Sequence, residues 1–417
     1  MEPRCGGGPA RIYTLIQYLR RAGCEVHLIC QDHGREGNEA LRGWADDVWI
    51  FRVDGLPVSQ SKVRQWWLQW RRRAKHFHHR VQNYLWRRHR PGYKRLARWF
   101  PALFPPKVPR HSYILRKINP SFDEYAHEVM LGLLPTAAIA EFAWTARSLE
   151  GLPPEVLTMI DTHDIQHQRR QRAQEAGSDL KDRACTREEE VAELNRARIL
   201  LAIQPEEGDI LRDLCPGREV LVVEHAEVCA SCETPPHSQQ VLFVGNLYDP
   251  NIQGLRQFLD DVWPRVRQAC PEATLQVCGN VCKSVENSPP GVQLAGFVED
   301  LESCYAAAAV VVNPVPYGTG LKIKTVEALL RGKALVTTEC GVEGLGAPDR
   351  QAFILATIAG MAEPLINLLV NFEQRHELEQ AACDYAASRL SQSRAYGDLL
   401  RRMAAHRDAQ AANARRA

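Results

Sequence analysis

The sequence predicts a mixed α/β protein made of two consecutive domains, each a doubly wound parallel sheet wrapped by helices. Three observations predict it. The chain has 417 residues, more than one typical domain of about 100–200 residues. Short apolar runs alternate with helical patterns in both halves, the order that gives parallel sheets with helical crossovers. A turn-rich stretch, Thr234-Pro235-Pro236-His237-Ser238, separates the two series. These signals divide the chain into residues 1–235, residues 239–385 and a helical tail, 386–417.

In the first series, Cys5-Gly6-Gly7-Gly8-Pro9 leads into a helical pattern from Ile12 to Ala22, with Ile12, Leu15, Ile16 and Leu19 at helix spacing. Gly23 ends it. Strands are expected over Glu25 to Cys30, Asp47 to Val53, Val156 to Asp161, Ile199 to Ile203 and Val220 to Val223. Ala137 to Trp144 reads equally as strand or helix. A polar helix with breaks spans Ile165 to Ala197. In the second series, strands are expected over Val241 to Val244, Thr274 to Cys278, Val292 to Leu294, Val310 to Val312 and Leu335 to Thr337. Helices are expected over Gln253 to Ala269 and Lys324 to Arg331, and the tail is helical from Glu363 to about Ala405. A glycine-rich phosphate loop normally follows a strand, yet only Met1-Glu2-Pro3-Arg4 precede this one. Either the first strand of the N-terminal sheet is missing, as is expected here, or the loop reading is wrong.

Composition is that of an ordinary globular protein, 45% hydrophobic and 24% charged, with a net charge of +2. No run of about 18 apolar residues occurs, so no transmembrane helix is expected, and no secretory signal is recognised. The expected address is the cytoplasm. The 13 cysteines are scattered through apolar runs, the pattern of reduced buried thiols. Cys229 and Cys232 form a lone C-x-x-C, and a zinc site needs about four ligands. No metal and no cofactor are expected.

Charge is distributed unevenly. No Asp or Glu occurs between Asp54 and Asp123, an interval dense in Arg and Lys that holds Trp66, Trp67, Trp70, Trp86 and Trp99. The insert, about residues 60–118, is either a solvated helical cover or, through Trp66 to Phe100, a surface for anionic lipid on the inner membrane face. No RNA- or DNA-binding motif accompanies it, and nucleic acid is not an expected partner.

The residues best suited to chemistry run from Pro316 to Ala328, Pro-Tyr-Gly-Thr-Gly-Leu-Lys-Ile-Lys-Thr-Val-Glu-Ala. Gly318 and Gly320 let a backbone approach a pyrophosphate, and the following helix N-terminus offers free N–H groups. Lys322 and Lys324 supply positive charge, and Glu327 lies about one turn into the helix, within reach of ribose hydroxyls. The bland alternative is a glycine turn followed by a solvated helix. Gly245 and Asn246 end the strand Val241 to Val244, and Phe297 and Val298 follow Gly296; each signal is weak alone.

Taken together and in order, these segments resemble the C-terminal domain of the retaining glycosyltransferase family 4. The resemblance rests on Val244-Gly245, then Pro250-Asn251-Ile252-Gln253-Gly254 for "P-N-x-x-G" and Gly296-Phe297-Val298 for "G-x-V". The glycine–lysine loop with Glu327 follows, and Gly341-Val342-Glu343-Gly344-Leu345 stands for "G-x-E-G-L". In the N-terminal half, Gly7, Gly8 and Arg11 resemble "G-G-x-x-R", Ile160 to Asp164 resembles "I-D-x-H-D", and Ile203 to Glu207 resembles "I-Q-x-E-E". The resemblance implies the GT-B fold and transfer of a sugar, with retention, from a nucleoside diphosphate sugar to a glycan or lipid-linked acceptor. It implies that Glu327 holds the donor ribose, that Lys322 or Lys324 meets the diphosphate, that Phe297 and Val298 frame the base, and that His163 contacts the donor sugar. Asp164 orients that histidine or caps the next helix.

The chain departs from the family at two positions. Thr319 stands where many relatives begin a Glu-x7-Glu pair, and Asn246-Leu247-Tyr248 stands where many carry an Arg, so phosphate charge is expected mainly from the lysine pair. Two other readings stay open. One is a sugar-nucleotide epimerase on the same fold; the other is a degenerate, non-catalytic protein.

Overall fold

In the computed structural model, residues 7–30, 49–52, 120–177, 185–228, 233–298, 301–345 and 351–414 are described. The basic aromatic insert from Trp66 to Phe100 and the Cys229/Cys232 pair lie outside them.

Helix α1 (Gly7–Arg21) opens the N-terminal domain, so Gly7 and Gly8 occupy its first turn. Strands β1 (His27–Cys30) and β2 (Trp49–Arg52) pair in parallel as a sheet of their own. Strands β3 (Ala137–Glu141), β4 (Leu157–Asp161), β5 (Ile199–Ala202) and β6 (Glu219–Val222) form a second parallel sheet in that order. Among the described residues, no strand joins β1 to β3. The undecided segment after Ala137 is both things: β3, then a 3-10 turn from Ala143 to Leu149. The break falls at Phe142, whose φ of 68° leaves the strand region. Every residue of β4 and β5 is buried, as a parallel strand covered on both faces requires. Helices α2 (Gln166–Glu175) and α3 (Pro205–Leu214) follow β4 and β5.

The C-terminal sheet is parallel throughout its described strands. Its six parallel strands are β7 (Gln240–Val244), β8 (Thr274–Cys278), β9 (Val292–Gly296), β10 (Val310–Asn313), β11 (Leu335–Thr337) and β12 (Ile354–Leu355). They lie in the order β12-β11-β10-β7-β8-β9. The order reverses between β7 and β10, and a crevice opens there beyond the strand ends. One apolar core, centred on Trp263, Phe258 and Val277, covers one face of this sheet. Another, centred on Tyr305, Leu329 and Leu242, covers the other.

The helix expected over Gln253 to Ala269 begins earlier, as α4 (Asp249–Gln257) with Pro250 in its first turn. It passes through a π segment, Phe258–Val262, before resuming at Trp263. Pro264 accounts for the irregularity, since it has no N–H to give to the helical ladder. Helix α5 (Ile323–Leu330) carries the glycine–lysine loop at its N-terminus. The tail divides into Ala362–Val370, α6 (Phe372–Arg389) and α7 (Gln392–Ala414). Helix α7 leaves its own domain and packs Ala395, Tyr396 and Leu399 among Leu15, Leu19, Leu157 and Met159 of the first. No helix among the described residues is long and apolar enough to cross a membrane. Described cysteines such as Cys215, Cys270 and Cys278 are free and buried.

Candidate active site

A cavity of about 420 Å³ opens between the domains at the carboxyl ends of β7 and β10. Its C-terminal wall includes Gly245, Asn246, Phe297, Val298, Gly318, Thr319, Gly320, Lys322, Lys324 and Glu327; the opposite wall includes His163 and Asp164. The cavity thus gathers His163, Asp164 and the candidate donor-binding residues of the C-terminal half, while Gly7 and Gly8 lie in the first turn of α1, whose Ala10 reaches the cavity.

Glycine is needed where the loops come closest. Gly320 has a φ of 71°, and a Cβ there would stand 3.0 Å from the His163 carbonyl oxygen and 3.3 Å from Asp164 Cβ. The loop thus nests against the other domain. A Cβ on Gly279, φ 101°, would sit 2.2 Å from the Gly245 carbonyl oxygen; this second strand-end glycine escaped the sequence reading. Glu327 is 5% exposed and its Oε2 accepts from the Tyr305 hydroxyl at 3.1 Å. Phe297 stands half exposed at the mouth.

The lysine pair is committed in ways the sequence does not disclose. Lys322 Nζ donates to the Gly320 carbonyl at 2.7 Å and the Thr319 carbonyl at 3.3 Å, bracing the loop from behind, and stands 3.8 Å from Glu343. Lys324 Nζ donates to Asn251 Oδ1 at 2.6 Å and lies over the Phe243 ring. Burial, reinforced by Lys322, pushes Lys324 down to about 7.

His163 is held by Glu141, which the sequence reading did not single out. Its Nε2 meets Glu141 Oε2 at 2.7 Å, and its ring stacks on Phe142 at 3.9 Å, itself stacked on Trp144 at 4.3 Å. The backbone at His163 is left-handed, φ 61°, a conformation that surrounding packing must hold. Asp164 plays neither expected part: Ile165 occupies the cap position of α2, and the Asp164 carboxylate accepts from Gln166. Its Oδ2 reaches Thr319 Oγ1 at 3.5 Å across the cleft. Burial raises Asp164, against the pull of Arg169. Burial raises Glu141 as well, against its hydrogen bond from His163.

Beneath these groups Arg11 is fully buried and forks onto Asp161 at 2.8 and 2.9 Å, while its Nη2 also donates to the Val223 carbonyl at 2.6 Å. Glu141, Asp161 and His163 together bring three potential metal-ligand atoms within 4.8 Å of one another, a grouping not foreseen from the sequence. Arg11 and the Glu141–His163 contact already engage those atoms.

The remaining shared motifs join the domains. Gly344, φ 89°, lies against Gln204, whose Oε1 would stand 1.7 Å from an added Cβ. Arg172 Nη1 reaches Glu343 at 2.6 Å and the Gly318 carbonyl at 2.7 Å. Arg169, Tyr248, Asn251 and Asn280 also line the cavity. Arg169 gave no sequence signal, since it lies in a helix of mixed charge.

Residues 238–371 match the family described as Glycosyl transferases group 1. An uncharacterized 44.6 kDa protein in the cps region of Klebsiella pneumoniae is 25% identical over 178 residues, 40% of this chain. The match spans 46% of that relative's length. A TarM variant from S. aureus, solved with fondaparinux, alpha-GlcNAc-glycerol and UDP, superposes with a TM-score of 0.66 at 10% identity, covering 97% of this chain and 98% of its own. Anabaena HepE, solved with UDP and glucose, superposes at 0.60 and 13% identity, covering 96% of both chains. These likenesses show the GT-B fold, and the family match lies within the C-terminal domain.

Proposed function

We propose that this protein is a retaining glycosyltransferase that moves a sugar from a nucleoside diphosphate sugar to a hydroxyl of a glycan or lipid-linked acceptor, in cell-surface polysaccharide or glycolipid synthesis. One observation carries the reading. The glycine loop Gly318–Gly320 opens into the N-terminus of α5 at the reversal point of the sheet, with buried Glu327 on the same cavity wall. Free helix N–H groups there suit a diphosphate, and a carboxylate one turn on suits ribose hydroxyls. The group 1 family match over the same segment supports it, as does the cps-region relative. UDP bound to TarM and HepE makes UDP the first nucleotide to try.

In this reading the donor lies on the C-terminal wall and the acceptor enters from the N-terminal side, where His163 faces the sugar. The leaving diphosphate, stabilised by the helix terminus, takes the proton of the attacking hydroxyl on the face it departs from. The new bond then keeps the anomeric configuration. Positioning and preorganised electrostatics do the work, and transfer is metal-independent. The basic insert, Trp66 to Phe100, holds the enzyme at anionic membrane where a lipid-linked acceptor resides.

Calorimetric titration with UDP, GDP, dTDP and ADP tests the donor site, wild type beside Glu327→Ala. One nucleotide is expected to bind, and the substitution to weaken it by about 1–3 kcal/mol. A folded wild-type protein that binds none of the four contradicts the reading and favours a degenerate protein.

A further inference from the structure

We propose that Arg169, on the N-terminal domain, is the principal cation for the donor diphosphate, so that the nucleotide is gripped from both sides of the cleft. This rests on the donor-site reading above and adds to it a residue that the C-terminal fold does not contain.

The observations begin with what the C-terminal wall lacks. Asn246-Leu247-Tyr248 follows β7 without a basic residue. Lys322 spends its ammonium on the carbonyls of its own loop. Lys324 is bonded to Asn251, and burial pushes it down to about 7. Asp164 and Glu327 add carboxyl groups to the same cavity. A diphosphate entering there brings further negative charge, and it needs a partner that stays ionised.

Arg169 meets that need by position and by chemistry. It is in the first turns of α2 and lines the cavity opposite the glycine loop. Its guanidinium lies over the Tyr248 ring, 5.1 Å from the centroid, at the very segment that has no basic residue of its own. Asp164 Oδ2 lies 3.7 Å from Arg169 Nη1 and pairs with it. A guanidinium keeps its charge at any working pH. Its planar fork of five N–H donors keeps a stacking contact and an ion pair while giving an edge to phosphate oxygens. The same Asp164 approaches Thr319, so the arginine and the glycine loop are tied through one carboxylate. Diphosphate bound between them would neutralise the arginine on one wall and the helix terminus on the other, and would draw the domains together.

The test uses the full chain and compares UDP, UMP and uridine by calorimetry, for wild type, Arg169→Gln and Arg169→Lys. If another diphosphate proves to be the one bound, its own monophosphate and nucleoside replace them. Arg169→Gln is expected to weaken the diphosphate 10- to 100-fold, the monophosphate less, and the nucleoside by under twofold. The salt dependence of diphosphate binding is expected to become shallower. Arg169→Lys, which keeps the charge but loses the fork, is expected to recover part of the loss. Thermal melts show whether each variant is folded. A folded Arg169→Gln protein that binds the diphosphate within twofold of wild type overturns the proposal and leaves the donor site standing. Equal losses for diphosphate and nucleoside also overturn it, because they mark a merely structural role. A wild type that binds no nucleotide removes the donor site itself, and this inference with it.

Discussion

Asp161→Asn isolates the ion pair on which the N-terminal half of the site is built. Arg11 and Asp161 are both fully buried, joined by two hydrogen bonds of 2.8 and 2.9 Å, and Arg11 is tied to the Val223 carbonyl as well. One guanidinium thereby links α1, the end of β4 and the residue after β6. Breaking a buried pair from one side costs about 3–5 kcal/mol, because the remaining charge is left uncompensated. The asparagine oxygen still accepts one bond, so the lower part of that range is expected. At roughly 2–4 °C per kcal/mol for a domain of this size, melting should fall by about 6–12 °C by calorimetry or circular dichroism. Arg11→Met with Asp161→Leu should recover most of the loss, since an apolar replacement of both partners strands no charge. The comparison is Arg402→Ala, which cuts a half-exposed pair with Glu219 and should cost about 0–1 kcal/mol. If Asp161→Asn costs no more than Arg402→Ala, or if the double variant is as unstable as the single one, the pair does not hold the domain as argued.

Other perturbations follow from the same packing. Burial, with Asp164 nearby, holds Glu207 up at about 8; between about 4.5 and 8 the unfolded chain releases this proton while the folded protein keeps it, so its stability contribution is lost as pH rises through that window. Glu207→Gln should therefore stabilise the protein relative to wild type more at pH 8 than at pH 5, and an equal difference at both pH values counts against the buried neutral carboxyl. Gly254→Ala would place a Cβ 2.0 Å from the Pro314 carbonyl oxygen, forcing α4 off the strand exit; denaturant melts should show a loss of about 1–3 kcal/mol, and no loss means the helix shifts freely. Transfer should survive EDTA; transfer abolished by EDTA and restored by Mg²⁺ contradicts metal independence. Binding to anionic vesicles should weaken when Arg71, Arg72 and Arg73 are changed to Glu, and unchanged binding counts against the membrane role of the insert.

Much of the architecture was legible in the sequence because its determinants are local. Thr274–Cys278 and Leu335–Thr337 are strands over the very residues expected, since β-rich apolar runs bounded by turn residues have few other ways to be buried. The glycine loop, the helix after it and Glu327 sit in one stretch of 13 residues, so their proximity needed no tertiary information. What the tertiary structure decided was which charges meet. Arg11 finds Asp161 across 150 positions and Arg172 finds Glu343 across 171; Arg169 finds Tyr248 in the other domain. Glu141, not Asp164, takes the histidine, and the cavity lysines also brace their own loop and Asn251. The physical reason is one of range. Backbone geometry and burial period are written residue by residue, whereas the partner of a long polar side chain is set by whatever the packed domains bring within 3 or 4 Å of it, and no spacing along the chain encodes that distance.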